Sequence, residues 1–399
     1  MRSIRLSTAV SFVAACAMTV LVAQSAQGQT YKVLHSFTGG KDGAVPDAVI
    51  EDAAGNLYGN TSYGGDYGYG TVFKLSKTGK MGVLYTFKGG TDGGAPLAGL
   101  IQDAEGNLYG TTNYGGDLSC NSGTTGCGVV FKVTKAGKET VLYSFKGSDG
   151  AFPNAVIEDA KGDLYGTTLG GGDAACFFGC GVVFKLSQAG EETVLYKFKG
   201  GADGDTPLAG VILDAHGNLY GATLYDGRAG CGVVFKLDTT GKETVLHNFT
   251  CGADGNTPYA GVIRNASGNL YGTTFEGGTI GWGVVFQISE RGKEAVLHSF
   301  TGNKDGGDPV AGVIEDAEGN LYTTTSSGGA NNVGTVFKLS RTGKGTALYT
   351  FTGGADGGVP LAGVIQDTEG NLYGTTSAGG DPSCGIENSG CEVVFKLTP

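Results

Sequence analysis

Beyond residue 28 the chain has no apolar run long enough to cross a bilayer and no helix-period spacing of apolar residues, which excludes a helical membrane domain and the helix-rich fold classes. Histidine is scarce, with four in 399 residues, and no two have metal-ligand spacing. No Ser-His-Asp or Cys-His arrangement can be assembled either, so hydrolases recognisable by such motifs drop out. His35, His247 and His298 stand where other parts of the chain have Tyr85, Tyr143, Tyr196 and Tyr349 and read as packing variants, and His216 falls in a turn. Basic residues are outnumbered, 27 Lys and Arg against 38 Asp and Glu, for a net charge of −11. Nucleic acid and anionic lipid are therefore poor partners. No long Pro-rich or Ser-rich linker divides the chain. GxG patterns are unavoidable among 76 glycines, and none opens a helix as a phosphate loop requires.

What the chain does have is repetition. The phrase GNLYG recurs at Gly55, Gly106, Gly162 (as GDLYG), Gly217, Gly268, Gly319 (as GNLYT) and Gly370, with gaps of 51, 56, 55, 51, 51 and 51 residues. Each unit holds four short strand-like runs. In the second unit they are Leu97 to Asp103 (a), Asn107 to Thr112 (b), Gly128 to Val133 (c) and Thr140 to Phe145 (d). The a–b connection DAEGN and the c–d connection TKAGK have the length and glycine of hairpin turns, so each unit is an antiparallel meander. The runs are apolar on both faces, as in Val129-Val130-Phe131, so each sheet needs a neighbour on either side. The expectation is an all-β, seven-bladed β-propeller of four-stranded antiparallel blades. Residues 29–399 open with a lone d run, Tyr31 to Phe37, and close after a c run, Glu392 to Leu397. Seven of every run exist only if the N-terminal strand completes the last blade, which would clasp the ring and remove its edges.

Residues 1–28 read as an export signal: Arg2 and Arg5, the apolar stretch Leu6 to Ala23, and the small-x-small site Ala26-Gln27-Gly28. Two alternatives stay open: a lipoprotein site acylated on Cys16, and an uncleaved anchor. The protein is expected to be secreted or held at the cell surface, periplasmic or extracellular, as a monomer whose mature domain does not insert in a membrane.

Units of the form VLYSF, GGADGxxPxAGVIxDAxGNLYGTT and GVVFKL resemble the GloVer tandem-repeat proteins, exported bacterial proteins named for their repeat and variable anchoring. The resemblance covers essentially all of residues 31–399 and implies a secreted or surface-attached repeat protein, without catalytic residues to carry over. No sorting segment is read before Pro399, so the resemblance gives no anchor at that end.

The position two before the VVF or TVF phrase is Tyr69, Cys127, Cys180, Cys231, Trp282, Val333 and Cys391. Four disulfides follow from this register: Cys120–Cys127, Cys176–Cys180, Cys231–Cys251 and Cys384–Cys391, as an oxidising compartment favours. A metal site from Cys120, Cys127, Cys176 and Cys180 is the rival. In a propeller the b–c and d–a loops share one face. From the b-strand threonine to the c-strand phenylalanine four blades take 12 positions (Thr61 to Phe73, for example), whereas Thr112 to Phe131 and Thr376 to Phe395 take 19 and Thr168 to Phe184 takes 16. Stapled, lengthened loops on one rim are candidates for a binding wall.

The d–a loop repeats an aspartate followed by glycine, at Asp42, Asp92, Asp149, Asp203, Asp254, Asp305 and Asp356. Such a residue makes turns, and the same seven carboxylates are the candidate ligands for Ca²⁺, the one cofactor considered. A ligand site belongs where the repeat is broken on this face: Asn113, Tyr114, Phe177, Phe178, Asp226, Arg228, Glu276 and Trp282, with aromatic rings for stacking and charged groups for orientation. Trp282 reads equally as a space filler at a cysteine position. The functional expectation is a non-enzymatic binding module for a glycan, cell-wall component or protein. The alternatives are a carbohydrate-active lyase or glycosidase, needing Asp226 and Glu276 to converge, and a purely structural surface protein.

Overall fold

The computed structural model describes residues 29–120, 125–380 and 392–399. The expected signal segment with Cys16, and the expected Cys384–Cys391 bridge, lie outside these. Seven antiparallel sheets close into a ring, a seven-bladed β-propeller. A 3-10 turn at Gly201–Asp203 is the one helical element among the described residues, and none of their helices could cross a membrane.

Strands b, c and d of blade 1 are Leu57–Tyr63, Thr71–Leu75 and Met81–Thr86, and the same three recur through the chain to Val393–Thr398. The clasp forms as expected: Thr30–Ser36 pairs antiparallel with Val393–Thr398 and completes blade 7, from Thr30 opposite Thr398 to Ser36 opposite Val393. In every blade the c–d ladder slips by one residue at a leucine: Leu34, Leu84, Leu142, Leu195, Leu246, Leu297 and Leu348. Each bulged leucine packs into the apolar layer between two blades. A bulge also re-aims the residue after it, here the tyrosine or histidine that reaches the d–a loop.

Strand a is shorter than the expected Leu97 to Asp103. Only Ile101–Gln102 joins the ladder in blade 2, and blades 4 to 7 likewise keep two residues. Blade 3, by contrast, pairs along Ala151–Glu158, and blade 1 along Ala44–Pro46 and Ile50–Glu51. Blades 1 and 3 read Pro-x-Ala before strand a, whereas the other five read Pro-x-Ala-Gly. That extra glycine is a residue the ladder cannot absorb, so pairing stops. It also sits where blades meet at the axis: a Cβ on Gly210 would lie 2.6 Å from the Ala155 carbonyl oxygen.

Carbonyls at the entry to strand a, those of blades 1 and 3 included, bond to the preceding blade. Asn60 Nδ2 donates to Ala98 O at 2.7 Å, and hydroxyls of Thr111, Thr167, Thr273, Thr324 and Thr375 donate to Asn154, Ala209, Ala311, Ala362 and Asp47 O at 2.7–3.1 Å. The last of these crosses the seam from blade 7 to blade 1. Blade 4 has Ala222 at this position and no hydroxyl to give.

Between blades the core is aromatic. The phenylalanine ending each d strand meets the c-strand phenylalanine of the next blade edge to face: Phe37–Phe73, Phe87–Phe131, Phe145–Phe184, Phe198–Phe235, Phe249–Phe286, Phe300–Phe337 and Phe351–Phe395. Centroids are 4.9–5.4 Å apart at 65–71°, the geometry the ring quadrupole favours, and all fourteen rings are fully buried. Phe235→Ala should lower the unfolding free energy by about 3–5 kcal/mol, the usual cost of a large core cavity. Thr324→Val, which leaves a buried carbonyl unpaired, should cost about 1–3 kcal/mol. Denaturant melts of the two variants check both values.

Candidate functional site

The d–a loops and b–c loops do share one face, and hydrogen bonds knit them together. Gly94 and Tyr114 exchange backbone bonds at 3.1 and 3.0 Å, and Asn256 and Glu276 do so at 2.9 and 3.1 Å. Each d–a loop reaches its proline through a non-glycine residue in the left-handed region: Val45, Ala95, Phe152, Thr206, Thr257, Asp308 and Val359, with φ of 50–59°. Side chains branched at Cβ seldom adopt this conformation. From blade 2 to blade 7 its N–H is held by a carbonyl of the preceding blade, that of Tyr69, Cys127, Cys180, Cys231, Trp282 or Val333. The cysteine position is thus the seat on which the next loop docks.

Three disulfides form as expected, Cys120–Cys127, Cys176–Cys180 and Cys231–Cys251, with Cα separations of 5.7, 5.0 and 5.4 Å. Their sulfurs are thereby withdrawn from the rival metal arrangement. Where cysteine is missing, a large side chain covers the d–a loop: Tyr69 lies on Gly89 and Gly94, Val333 on Gly353 and Gly358, and Trp282 on Gly302 and Gly307. Trp282 is half-buried there, so its indole has a packing task on this face.

The seven loop aspartates act within their own turns. Tyr85, Tyr143, Tyr196 and Tyr349 donate their hydroxyls to Asp92, Asp149, Asp203 and Asp356 at 2.6–2.8 Å. His35, His247 and His298 make the same link to Asp42, Asp254 and Asp305 at 3.1–3.2 Å. A backbone N–H just past each d strand adds a further bond, as Lys88 gives Asp92 at 2.9 Å. The tyrosine and histidine variants are thus interchangeable donors to one carboxylate, a role hidden in the sequence because the bulge that aims them is hidden there.

Of the expected ligand residues, Phe177, Phe178 and Asp226 fall in one group and Glu276 in another. Phe177 and Phe178 stand on the loop tied by Cys176–Cys180, 93% and 60% exposed, with their rings 4.6 Å apart. Beside that disulfide lie Asp226, which accepts the Gly201 N–H at 2.5 Å, and Asp205. Burial, and then the charge of Asp226, pushes Asp205 up to about 6. Both aspartates have an oxygen within 4.8 Å of Cys176 Sγ, but that sulfur is spent in the disulfide, leaving two carboxylates. The second group is Tyr225, Tyr259, Phe275 and Glu276, across blades 4 and 5. Tyr259 and Phe275 are 4.9 Å apart, and burial, then Tyr225 and Glu276, raise the Tyr259 hydroxyl. Glu276 is held by Asn256 Nδ2 at 2.9 Å. Asp226 and Glu276 therefore enter different clusters. Asn113 and Tyr114 sit in blade 2, Tyr114 37% exposed, and Arg228 is exposed with its N–H on Asn248. Asp205, Tyr259 and Asn256 stand in or just after the d–a loops, whose nearly constant length hides them in the sequence, rather than in the lengthened b–c loops that mark the repeat's visible breaks.

A family model, the Gloeobacter/Verrucomicrobia repeat, matches residues 18–124, 118–266 and 244–399. The chain belongs to that family. Each match is longer than the unit of 51 to 56 residues and takes in more than one blade of the Gloeobacter/Verrucomicrobia repeat protein. No curated protein matches in sequence. Among solved structures, the fold is similar to the extracellular domain of the one-component system BT4673 of B. thetaiotaomicron (TM-score 0.58, 11% identity, 91% of this chain and 40% of that one). It is also similar to that of the hybrid two-component system BT3049 from the same organism (TM-score 0.54, 15% identity, 93% and 41%). The chain spans about two fifths of those proteins, and the likeness is one of fold.

A row of glutamates gives the rim a pH response. Burial, reinforced by Asp92, Asp149 and Asp203, pushes Glu139, Glu192 and Glu243 up to about 7, and Lys88, Lys146 and Lys197 oppose it only in part. Burial and Asp254 raise Glu294 likewise. Each has one buried carboxyl oxygen without a hydrogen-bond partner. For Glu139, Glu192 and Glu243 a raised folded value means a contribution fully present below the ordinary 4.5 and lost as pH rises through about 7. His247, lowered by burial, works the other way, losing stability as pH falls below 6.5. With more glutamates than histidines shifted, the melting temperature should fall between about pH 5 and 7.5. The triple variant Glu139→Gln, Glu192→Gln, Glu243→Gln should flatten that slope, as melts across this range would show.

Proposed function

We propose that the protein is an exported, non-enzymatic binding module that holds a glycan, cell-wall component or protein on its loop face. The observation that carries this reading is the pair Phe177 and Phe178. Two large apolar rings stand in solvent on a loop whose base is locked by Cys176–Cys180, next to Asp205 and Asp226. Exposed aromatic side chains held in place, with polar groups at their edge, are what binding surfaces use as anchors. Tyr63, Tyr114 and Tyr225, 48%, 37% and 47% exposed, extend the aromatic character around the same face. Export fits the three disulfides, which persist in oxidising compartments. It also fits the extracellular setting named for BT4673 and BT3049, whose fold is shared.

Thermal unfolding with solubilised peptidoglycan, with envelope polysaccharide fragments and with Ca²⁺ tests the reading. A ligand at 100 times its Kd adds about 2.7 kcal/mol. The midpoint should rise with a wall or polysaccharide ligand in the wild type and stay put in Phe177→Ser/Phe178→Ser. Equal shifts in both proteins would contradict the role given to the loop. A shift with Ca²⁺ alone would move attention to the ring Asp42, Asp92, Asp149, Asp203, Asp254, Asp305 and Asp356.

A further inference from the structure

The opposite face carries grooves between blades, and one of them breaks the repeat. In six blades the a–b turn supplies an aspartate (Asp52, Asp103, Asp159, Asp214, Asp316, Asp367) that accepts a tyrosine hydroxyl at 2.9–3.2 Å. In the same six a c-strand lysine sits over that tyrosine ring, 5.0–5.6 Å from its centroid. In Asp214 burial acts upward, but bonds from Asn218, His216 and Tyr220 outweigh it and hold the group at about 2, so this is a firmly ionised centre. Blade 5 has Asn265 in place of the aspartate and Gln287 in place of the lysine. One charge of each sign is missing from the same unit.

The exchange changes which groups are free. Asn265 Oδ1 accepts the N–H groups of Ser267 and Asn269 at 3.0 and 3.1 Å, which fixes the orientation of its amide. Its Nδ2 therefore faces Tyr271 Oη, at 3.2 Å, and donates to it. The tyrosine proton that goes to a carboxylate in the other six blades is left to donate elsewhere. In five of those blades an asparagine Nδ2 also bonds the aspartate, as Asn320 does Asp316 at 2.7 Å. Asn269 Nδ2 faces a donor instead and has no acceptor among the described residues. No cation covers the Tyr271 ring among them either. Tyr271, Asn269 and Gln287 line a groove of about 510 Å³ between blades 5 and 6, closed on the far side by Glu315 and Arg341. That volume is within the range of small-ligand sites. Comparable grooves of about 460 and 430 Å³ between blades 4 and 5 and between 7 and 1 keep their lysines, Lys236 and Lys396.

We propose that the groove between blades 5 and 6 binds a neutral saccharide, with the Tyr271 ring as platform and the Tyr271 hydroxyl and the carboxamides of Asn269 and Gln287 as hydrogen-bonding partners. Glu315, Asp316 and Glu318 on the blade 6 side disfavour an anion, and the blade 5 side, lined by Asn265, Asn269, Tyr271 and Gln287, offers a cation no carboxylate. Uncharged donors and acceptors around an aromatic ring match a ring of hydroxyls. The site stands apart from the loop face and does not depend on the function proposed for it.

Saturation-transfer NMR and calorimetry with cellopentaose, xylopentaose, mannopentaose and chitopentaose test it. At least one should bind the wild type. Asn265→Asp/Gln287→Lys, which rebuilds the arrangement of the other six blades, should bind at least about tenfold more weakly, the equivalent of one good hydrogen bond. Tyr271→Phe should weaken binding in the same direction, and Phe177→Ser/Phe178→Ser should leave it unchanged. No binding of any of the four sugars, equal binding by Asn265→Asp/Gln287→Lys, or loss in the loop variant alone would overturn the proposal.

Discussion

The contact on which the rest of the molecule depends is the edge-to-face meeting of one blade's d-strand phenylalanine with the next blade's c-strand phenylalanine. It occurs at all seven interfaces, including the two that involve the clasped blade, Phe351 with Phe395 and Phe37 with Phe73. A four-stranded sheet of this composition is apolar on both sides and has no stable existence alone. Burying both sides against equal neighbours returns the chain to its start after seven steps, and the N-terminal strand then supplies what blade 7 lacks. Everything at the two faces is hung on that ring: the left-handed loops need the carbonyls of the preceding blade, and the short strand a needs the hydroxyls near the axis.

Much of this was legible in the sequence because repetition averages out local ambiguity. GNLYG and GVVFKL recur with constant spacing, so strands b, c and d, the blade number and the clasp could be read by counting. Strand a could not. Its apolar run looks like any other, and only the register shows that the glycine in Pro-x-Ala-Gly interrupts pairing in five blades while Pro-x-Ala permits it in blades 1 and 3. The three described disulfides were legible for the same reason as the blades: the register puts a cysteine at one equivalent position in blades 2, 3 and 4, and each finds its partner within its own b–c loop or across its own c–d hairpin. The partnership of Tyr85 or His35 with a loop aspartate was not, because a bulge shifts the alternation on which such a reading would rest.

At the sites the lesson runs the other way. On the loop face the lengthened loops mark departures from the repeat, and there the structure gathers Phe177, Phe178 and Asp226 around Cys176–Cys180 while Asn256 holds Glu276. The turn face is nearly uniform, and its break in blade 5 is two conservative-looking changes, Asp to Asn at 265 and Lys to Gln at 287. Each alone is a small loss. The first leaves a tyrosine hydroxyl and an amide without the acceptor that every regular blade provides, and the second takes the cation off the same ring, a consequence visible only once hydrogen-bond directions are assigned.

Closure of the ring is the central claim, and amide hydrogen exchange of the native protein tests it most directly. Among the described residues the strand Thr30–Ser36 pairs only with Val393–Thr398, so its protection reports on the clasp. If the ring is closed, Thr30–Ser36 should exchange as slowly as the d strands of the other blades, and with the same sensitivity to denaturant. Fast exchange of Thr30–Ser36 beside a protected Thr71–Leu75 would contradict closure and describe an open array of blades.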